Sequence, residues 1–227
     1  MWPARHNATV ERTGNVLRGQ SALQYGGNRP ESLLGFIGPL QGTVVDVGAG
    51  RGAWGPDLRR AGAGRLIAVE PDEASADEAQ SRYDVVLRGR IEETAAEFVS
   101  EADWIILADC LEHLVDPWAT LRWLHDAARV DARLIVSIPN LRYLGLVGPL
   151  LLAGRFNYSD RGGIMDRGHL RWFTRRSLEH AAMSAGWSPV AWSGECGTGT
   201  RATIDRLTVH RLRELLVHQL YMKAVKQ

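Results

Sequence analysis

From about residue 43 the chain alternates between short apolar runs and longer polar stretches with helical spacing. Thr43–Val47, Arg65–Glu70, Val85–Arg88, Trp104–Ala108 and Arg133–Ile138 are rich in Val, Ile and Leu. Such runs read as strands buried on both faces of a parallel sheet. Pro30-Glu31-Ser32-Leu33-Leu34 opens a short helix, with proline in its first turn. Ala53–Ala61 reads as a helix closed by Gly62 and Gly64, and Asp72 caps a helix over Glu73–Arg82. Further helices are expected over Glu92–Val99 and from Pro117 to about Ala128. Strands alternating with helices at this interval predict an α/β fold with a doubly wound, mostly parallel sheet.

After Pro139 the rhythm changes. Leu141–Ala153 reads as helical, and Gly154–Leu170 as a polar, glycine-bearing loop too long for a mere connection. Thr174 caps a helix to about Ala185, and Trp187–Trp192 follows as a strand. The tail admits two readings, since Thr203–Leu216 has helical periodicity and Gln219–Lys226 can be a closing strand. Residues 1–29 lack periodicity and read as a leader ending in a cap.

Length and composition narrow the class. A chain of 227 residues, 45% hydrophobic and 23% charged, is one globular domain of ordinary size. Its formal charge of +1 gives no footprint for nucleic acid. Two cysteines, Cys110 and Cys196, make no disulfide framework, and with no signal peptide a reducing cytoplasm is the expected setting. Leu141–Ala153 is broken by Arg142, glycines and Pro149, too short to span a bilayer, so no membrane association is expected. The eight tryptophans are expected to fill the core or a ligand pocket.

The chemistry concentrates at strand ends. Val44-Val45-Asp46-Val47-Gly48-Ala49-Gly50-Arg51-Gly52 is a strand running into a glycine turn, and the next strand ends in the carboxylate of Glu70. In a βαβ unit that carboxylate reaches a ribose, so an adenosine-type cofactor is expected at these two strand ends. The spacing Gly48-x-Gly50-x-x-Ala53 also satisfies the dinucleotide fingerprint. Asp46 argues against a pyrophosphate and for a cofactor bearing a sulfonium and an ammonium.

VVDVGAGRG, AVEPD, DWIILADCLEHLVDP and RLIVSIPN together resemble the four core motifs of class I S-adenosylmethionine-dependent methyltransferases. The resemblance runs from about Pro30 to the C-terminus. It implies a seven-stranded sheet in the order 3-2-1-4-5-7-6 with the last strand antiparallel, which favours a strand at the tail. It also implies a methyltransferase domain over residues 30–227, with 140–173 an insertion that forms part of an acceptor pocket. S-adenosyl-L-methionine is the implied cofactor, held by Asp46, Gly48, Ala49, Gly50, Glu70, Pro71, Ile91 and Asp109. Arg90 stands where the family often carries an acid for the adenine amino group, and Ile91 packing can take over that contact.

Asp109-Cys110-Leu111-Glu112-His113 follows the fourth strand, and a helical turn there would place Asp109, Glu112 and His113 on one face. His169 lies downstream, before Trp172-Phe173-Thr174. Two carboxylates and two imidazoles make a divalent-metal set, for Mg, Mn, Co, Fe or Zn. D-x-x-E-H with a later His resembles two metal-dependent branches of the family, the ubiquinone-biosynthesis O-methyltransferases and the small-RNA 2′-O-methyltransferases. Asp109 replaces the glutamate common in those branches. The blander alternative is that Glu112 and His113 stabilise the loop and His169 caps the next helix. His113 and His169 are the expected catalytic residues, and His113 the general base if no ion is held, with an unshifted imidazole near neutrality. Cys110 has no activating pattern and is not expected to act as a nucleophile.

Arg155, Tyr158, Arg161, Arg167 and Arg171 suggest either an anionic or polyhydroxylated acceptor, or a solvated lid. The function expected is methyl transfer to a hydroxyl of a small molecule, such as a sugar or specialised metabolite. Two rivals stand beside it: a non-catalytic S-adenosylmethionine-binding accessory protein, which the stretch Ile138–Thr174 also resembles, and an RNA 2′-O-methyltransferase. Oligomeric state is left open by the sequence.

Overall fold

A computed structural model describes residues 31–160, 162–196 and 213–227. Seven strands form one sheet: β1 (Thr43–Val47), β2 (Arg65–Glu70), β3 (Val85–Arg88), β4 (Trp104–Ala108), β5 (Arg133–Pro139), β6 (Ser188–Cys196) and β7 (Val217–Val225). Their order is β3-β2-β1-β4-β5-β7-β6. β1 to β5 pair in parallel, and β7 runs antiparallel to both β5 and β6. The doubly wound sheet is as the apolar pattern predicts, and its order and antiparallel last strand are as the family resemblance implies.

Alternation along the central strands divides the core into two layers. Val45, Val47, Ile67, Val69, Ile105, Leu107, Leu134 and Val136 face one side. Against them pack Ile91 of α4 (Ile91–Thr94), Val99 of α5 (Ala96–Glu101), Leu121 and Leu124 of α6 (Pro117–Ala127), and Leu178 of α8 (Arg175–Ser184). Val44, Leu66, Ala68, Trp104 and Ile106 face the other side, meeting α1 (Glu31–Ile37), α2 (Gly55–Arg60) and α3 (Glu73–Ala79). The middle strands are apolar at nearly every position because helices cover both faces. The parallel register brings the ends of β1, β2 and β4 level, with Val47 beside both Val69 and Leu107. That edge carries the site.

Several boundaries differ from expectation for local reasons. The helix expected over Glu92–Val99 is two pieces, broken at Ala95, and Ile91, Ala95 and Val99 all reach the same core. The helix expected from Leu141 begins later, as α7 (Leu144–Ala153). The Asn140 side chain accepts from the Arg142 amide at 3.0 Å and donates to the Val217 carbonyl at 2.9 Å, holding a turn before the helix starts. Thr174 caps α8 with a reciprocal bond to Ser177. The leader over 1–29 lies outside the described residues, as do Pro30 and most of Thr203–Leu216, of which Arg213–Leu216 is a short helical turn. No helix among the described residues is long and apolar enough to cross a membrane.

Trp187 ties α6 and the start of β6 together. It is 1% exposed in the larger core, and its indole N–H donates to the Leu121 carbonyl at 3.0 Å. Trp187→Ala should lower unfolding free energy by about 3–5 kcal/mol, through lost burial and the cavity left behind. Urea titration followed by circular dichroism checks this. A loss under 1 kcal/mol would mean that the core closes without the indole.

Candidate functional site

The glycine turn after β1 is held by β2. The Gly48 and Ala49 amides donate to the Val69 carbonyl at 2.8 and 3.2 Å, and the Gly50 amide donates to Glu70 Oε2 at 2.8 Å. Glu70 Oε1 accepts from the Asp72 amide at 2.9 Å. Each carboxylate oxygen thus holds one backbone donor and keeps a further lone-pair direction. Burial pushes the Glu70 carboxyl above its ordinary range, against the lowering effect of the two amides. Gly50 has φ +55°, and a Cβ there would point into open space. The turn therefore needs glycine for its backbone, and the space over it is clear for a ligand.

The other residues expected around a cofactor lie in distinct places. Asp46 is buried on the face of α2 and α3, and its carboxylate accepts from Tyr83 Oη at 2.5 Å, so it braces the turn from below. Pro71 is exposed after Glu70, and Ile91 is buried at the start of α4. Arg90 pairs with Glu92 at 3.7 Å. Cys110 is buried, and a Cβ on Gly48 would stand 3.1 Å from its sulfur.

Asp109 departs from its expected place. Its backbone is left-handed, with φ +53°, and the 3-10 turn starts only at Leu111. The three residues Asp109, Glu112 and His113 therefore do not share a helical face. The Asp109 carboxylate accepts from Gln219 Nε2 on β7, and from Ser137 Oγ on β5 at 3.4 Å. Gln219 also donates to Ser137 Oγ at 2.8 Å. Asp109 is part of a polar cluster across β4, β5 and β7, apart from the histidines.

Glu112, His113 and His169 do come together, with one ligand atom from each within 4.8 Å of the others. Main-chain bonds build this meeting. The Glu112 carbonyl accepts from the Leu170 and Arg171 amides at 2.8 and 3.0 Å, seaming the later loop to the 3-10 turn. A Cβ on Gly168 would stand 3.0 Å from Asp166 Oδ1 and 3.4 Å from the His113 ring, so a side chain there would press on both and glycine eases the close approach of the loop. His113 Nδ1 lies 3.0 Å from the Gly168 carbonyl, and His169 Nδ1 lies 3.1 Å from the Ile164 carbonyl. A carbonyl can only accept, so each ring carries a proton on Nδ1, and in its neutral form presents the Nε2 lone pair. The rings meet edge to face at 4.7 Å. Burial, and then the neighbouring His169, push His113 below an ordinary imidazole, a correction to the unshifted value expected from sequence.

Two imidazoles held through Nδ1 beside the buried Glu112 carboxylate suit a divalent cation or the work of a proton acceptor. Of the loop cations, Arg171 straps the wall, donating to the Val115 carbonyl and lying over the Trp118 ring. Arg167 pairs with Asp160 at 3.1 Å, and Arg161 is outside the described residues. Sequence reasoning missed Tyr83, Ser137 and Gln219, which act only through partners on distant strands.

Residues 24–191 match a protein family described as "Methyltransferase domain". No curated protein matches the chain. Among solved structures, a SAM-dependent methyltransferase from Archaeoglobus fulgidus is similar at 16% identity and TM-score 0.57, over 81% of this chain and 86% of that one. The methyltransferase complexed with an activator in Haloferax volcanii is similar at 16% identity and TM-score 0.60, over 86% of each chain. An S-adenosylmethionine-dependent methyltransferase from Mesorhizobium loti is similar at 16% identity and TM-score 0.59, over 86% of this chain and 96% of that one. At these identities the likeness is one of fold.

The tautomers are directly measurable. Long-range nitrogen–proton NMR spectra above neutral pH should show His113 and His169 protonated on Nδ1 alone. Free histidine prefers the other tautomer, so a proton on Nε2 of either ring would contradict the geometry.

Proposed function

The chain belongs to the methyltransferase-domain family, and we propose that it transfers the methyl group of S-adenosylmethionine to a hydroxyl of a small-molecule acceptor, with a divalent ion held by Glu112, His113 and His169. The observation that carries this reading is the meeting of those three ligand atoms within 4.8 Å at the end of β4, where an acceptor would face the cofactor. The choice of oxygen as the methylated atom rests on the likeness of the D-x-x-E-H segment to metal-dependent O-methyltransferases.

Gly48, Ala49 and Gly50 offer backbone to the amino-acid end of the cofactor. Glu70, through its remaining lone pairs, accepts from the ribose hydroxyls. Pro71 and Ile91 flank the adenosine, Asp46 supports the turn from beneath, and Asp109 holds the end of β4 in its left-handed turn. In the transfer, the acceptor oxygen forms a bond to the methyl carbon as the carbon–sulfur bond breaks. The electron pair goes to sulfur, and the hydroxyl proton passes to water, or to His113 Nε2 where no ion is held. Alignment of oxygen, carbon and sulfur supplies much of the acceleration. A bound ion would supply Lewis acidity, lowering the hydroxyl's pKa. The chain's own contribution is two imidazoles oriented by main-chain carbonyls through Nδ1, with burial disfavouring the imidazolium at His113.

Two sets of measurements test this. Calorimetry should show S-adenosylmethionine binding, weakened by about 1.5–3 kcal/mol in Glu70→Ala, the range for lost hydrogen bonds to a charged group. Tight nicotinamide binding with no binding of S-adenosylmethionine would refute the cofactor assignment. With labelled cofactor and panels of phenols, sugars and RNA, small-molecule transfer should fall on exhaustive chelation and return with Mn, Co, Fe, Zn or Mg. His169→Ala should abolish that rescue while leaving cofactor binding intact. If the chelated enzyme keeps full activity and His113→Ala alone removes it, by about 100-fold or more as expected for a lost general base, the metal reading is wrong.

A further inference from the structure

α7 carries the longest apolar run of the chain, yet none of its residues is buried. Leu151 and Leu152 are 77% and 90% exposed, and Leu144 and Leu150 are also open. Past the helix end, exposed Phe156 and Tyr158 meet edge to face at 5.9 Å and extend the patch. Scattered surface leucines need no explanation, but a contiguous apolar patch of this kind marks an interaction site.

The helix is also a poor one by its own chemistry. Ten residues are too few for stability in water without packing, and Gly145, Gly148 and the internal Pro149 lower it further. Apolar surroundings are what such a sequence needs to stay helical. Its apolar residues run all round rather than in the single stripe that a helix or groove partner would read. At roughly 15 Å it is too short to cross a bilayer, but it can lie along one.

Charge selects the occupant. Between Leu141 and Arg176 the sequence holds seven arginines against two aspartates. Although Arg142 and Arg175 share Glu214 and Arg167 pairs with Asp160, the stretch keeps an excess of positive charge in a chain whose formal charge is only +1. Arg142 and Arg155 bracket α7, and two aromatic residues follow it. Leu146 and Val147 of the helix are half-buried against the protein while Leu144, Leu150, Leu151 and Leu152 are open. Arginine and aromatic groups beside such an exposed apolar face suit attachment to anionic lipid. A symmetric pairing of two copies through this patch would set the same arginines against each other.

We propose that α7, with Phe156 and Tyr158, docks the protein on the surface of an anionic lipid bilayer, the helix lying in the plane of the headgroups. This reverses the expectation of no membrane association, which considered only spanning. The loop leaving α7 leads to Gly168 and His169, so docking would present the acceptor side of the site to lipid. It would suit a hydroxyl acceptor with an apolar body. That last consequence rests on the function proposed above, whereas the docking does not.

Sedimentation of the full chain with vesicles tests it without any need for activity. The protein should pellet with vesicles of phosphatidylcholine and phosphatidylserine, much less with phosphatidylcholine alone, and be released by salt. The double variant Leu151→Glu/Leu152→Glu should bind at least about tenfold more weakly, since two charges replace inserted leucines. Its circular dichroism and S-adenosylmethionine binding should be unchanged, because neither leucine packs in the core. Failure to pellet with anionic vesicles, or equal binding by the variant, would overturn the proposal. So would a dimer in sedimentation velocity that the double variant dissolves, because that result would assign the patch to a second copy of the chain.

Discussion

The main-chain carbonyl of Glu112 accepts from two successive amides, those of Leu170 and Arg171, and the centre depends on that seam. Glu112 and His113 follow the fourth strand, whereas His169 sits beyond α7 and a long loop. Nothing local to either segment would bring them together. Once the loop is seamed to the 3-10 turn, the Gly168 carbonyl falls beside His113 and the Ile164 carbonyl beside His169. Backbone groups cannot swing away as side chains do, so the two imidazoles inherit the rigidity of the sheet edge. Trp172 reinforces the arrangement, its indole donating to the same Ile164 carbonyl at 3.0 Å.

Glu70 plays the matching part on the cofactor side. Its carboxylate fastens the glycine turn through Gly50 and the start of the next helix segment through Asp72. Burial makes its charge costly, and the two amides offset part of that cost. A ligand hydroxyl that donated to the remaining lone pairs would offset more. The structure thus places a partly compensated carboxylate where a polar ligand group would be favoured. Below it, Asp46 and Tyr83 form a buried pair that fixes the strand end against the α2 and α3 layer.

The strands were legible because burial on both faces demands long runs of Val, Ile and Leu, and the structure keeps those runs with their ends nearly unchanged. Asp72, Pro117 and Thr174 marked helix starts because caps are local chemistry. What failed depended on distant partners. Asp109 looked like a neighbour of Glu112 on a helix, but its left-handed backbone turns the carboxylate toward Gln219, 110 residues away. Gln219 itself read only as part of a strand. Tyr83 was invisible for the same reason, since its role is set by Asp46 on another element. Apolar periodicity gave α7 correctly as a helix but could not say that its leucines face outward.

The central claim is that Glu112, His113 and His169 form one divalent-ion centre on the acceptor side of a methyltransferase fold. Crystals of the protein grown with manganese and S-adenosylhomocysteine, measured at wavelengths on either side of the manganese absorption edge, test it most directly. The account predicts one strong anomalous peak bounded by the Glu112 carboxylate and the Nε2 atoms of both histidines. It also predicts cofactor density over Gly50 and Glu70. Ordered cofactor with no anomalous peak among those three side chains, in crystals where the ion is bound elsewhere, would contradict it.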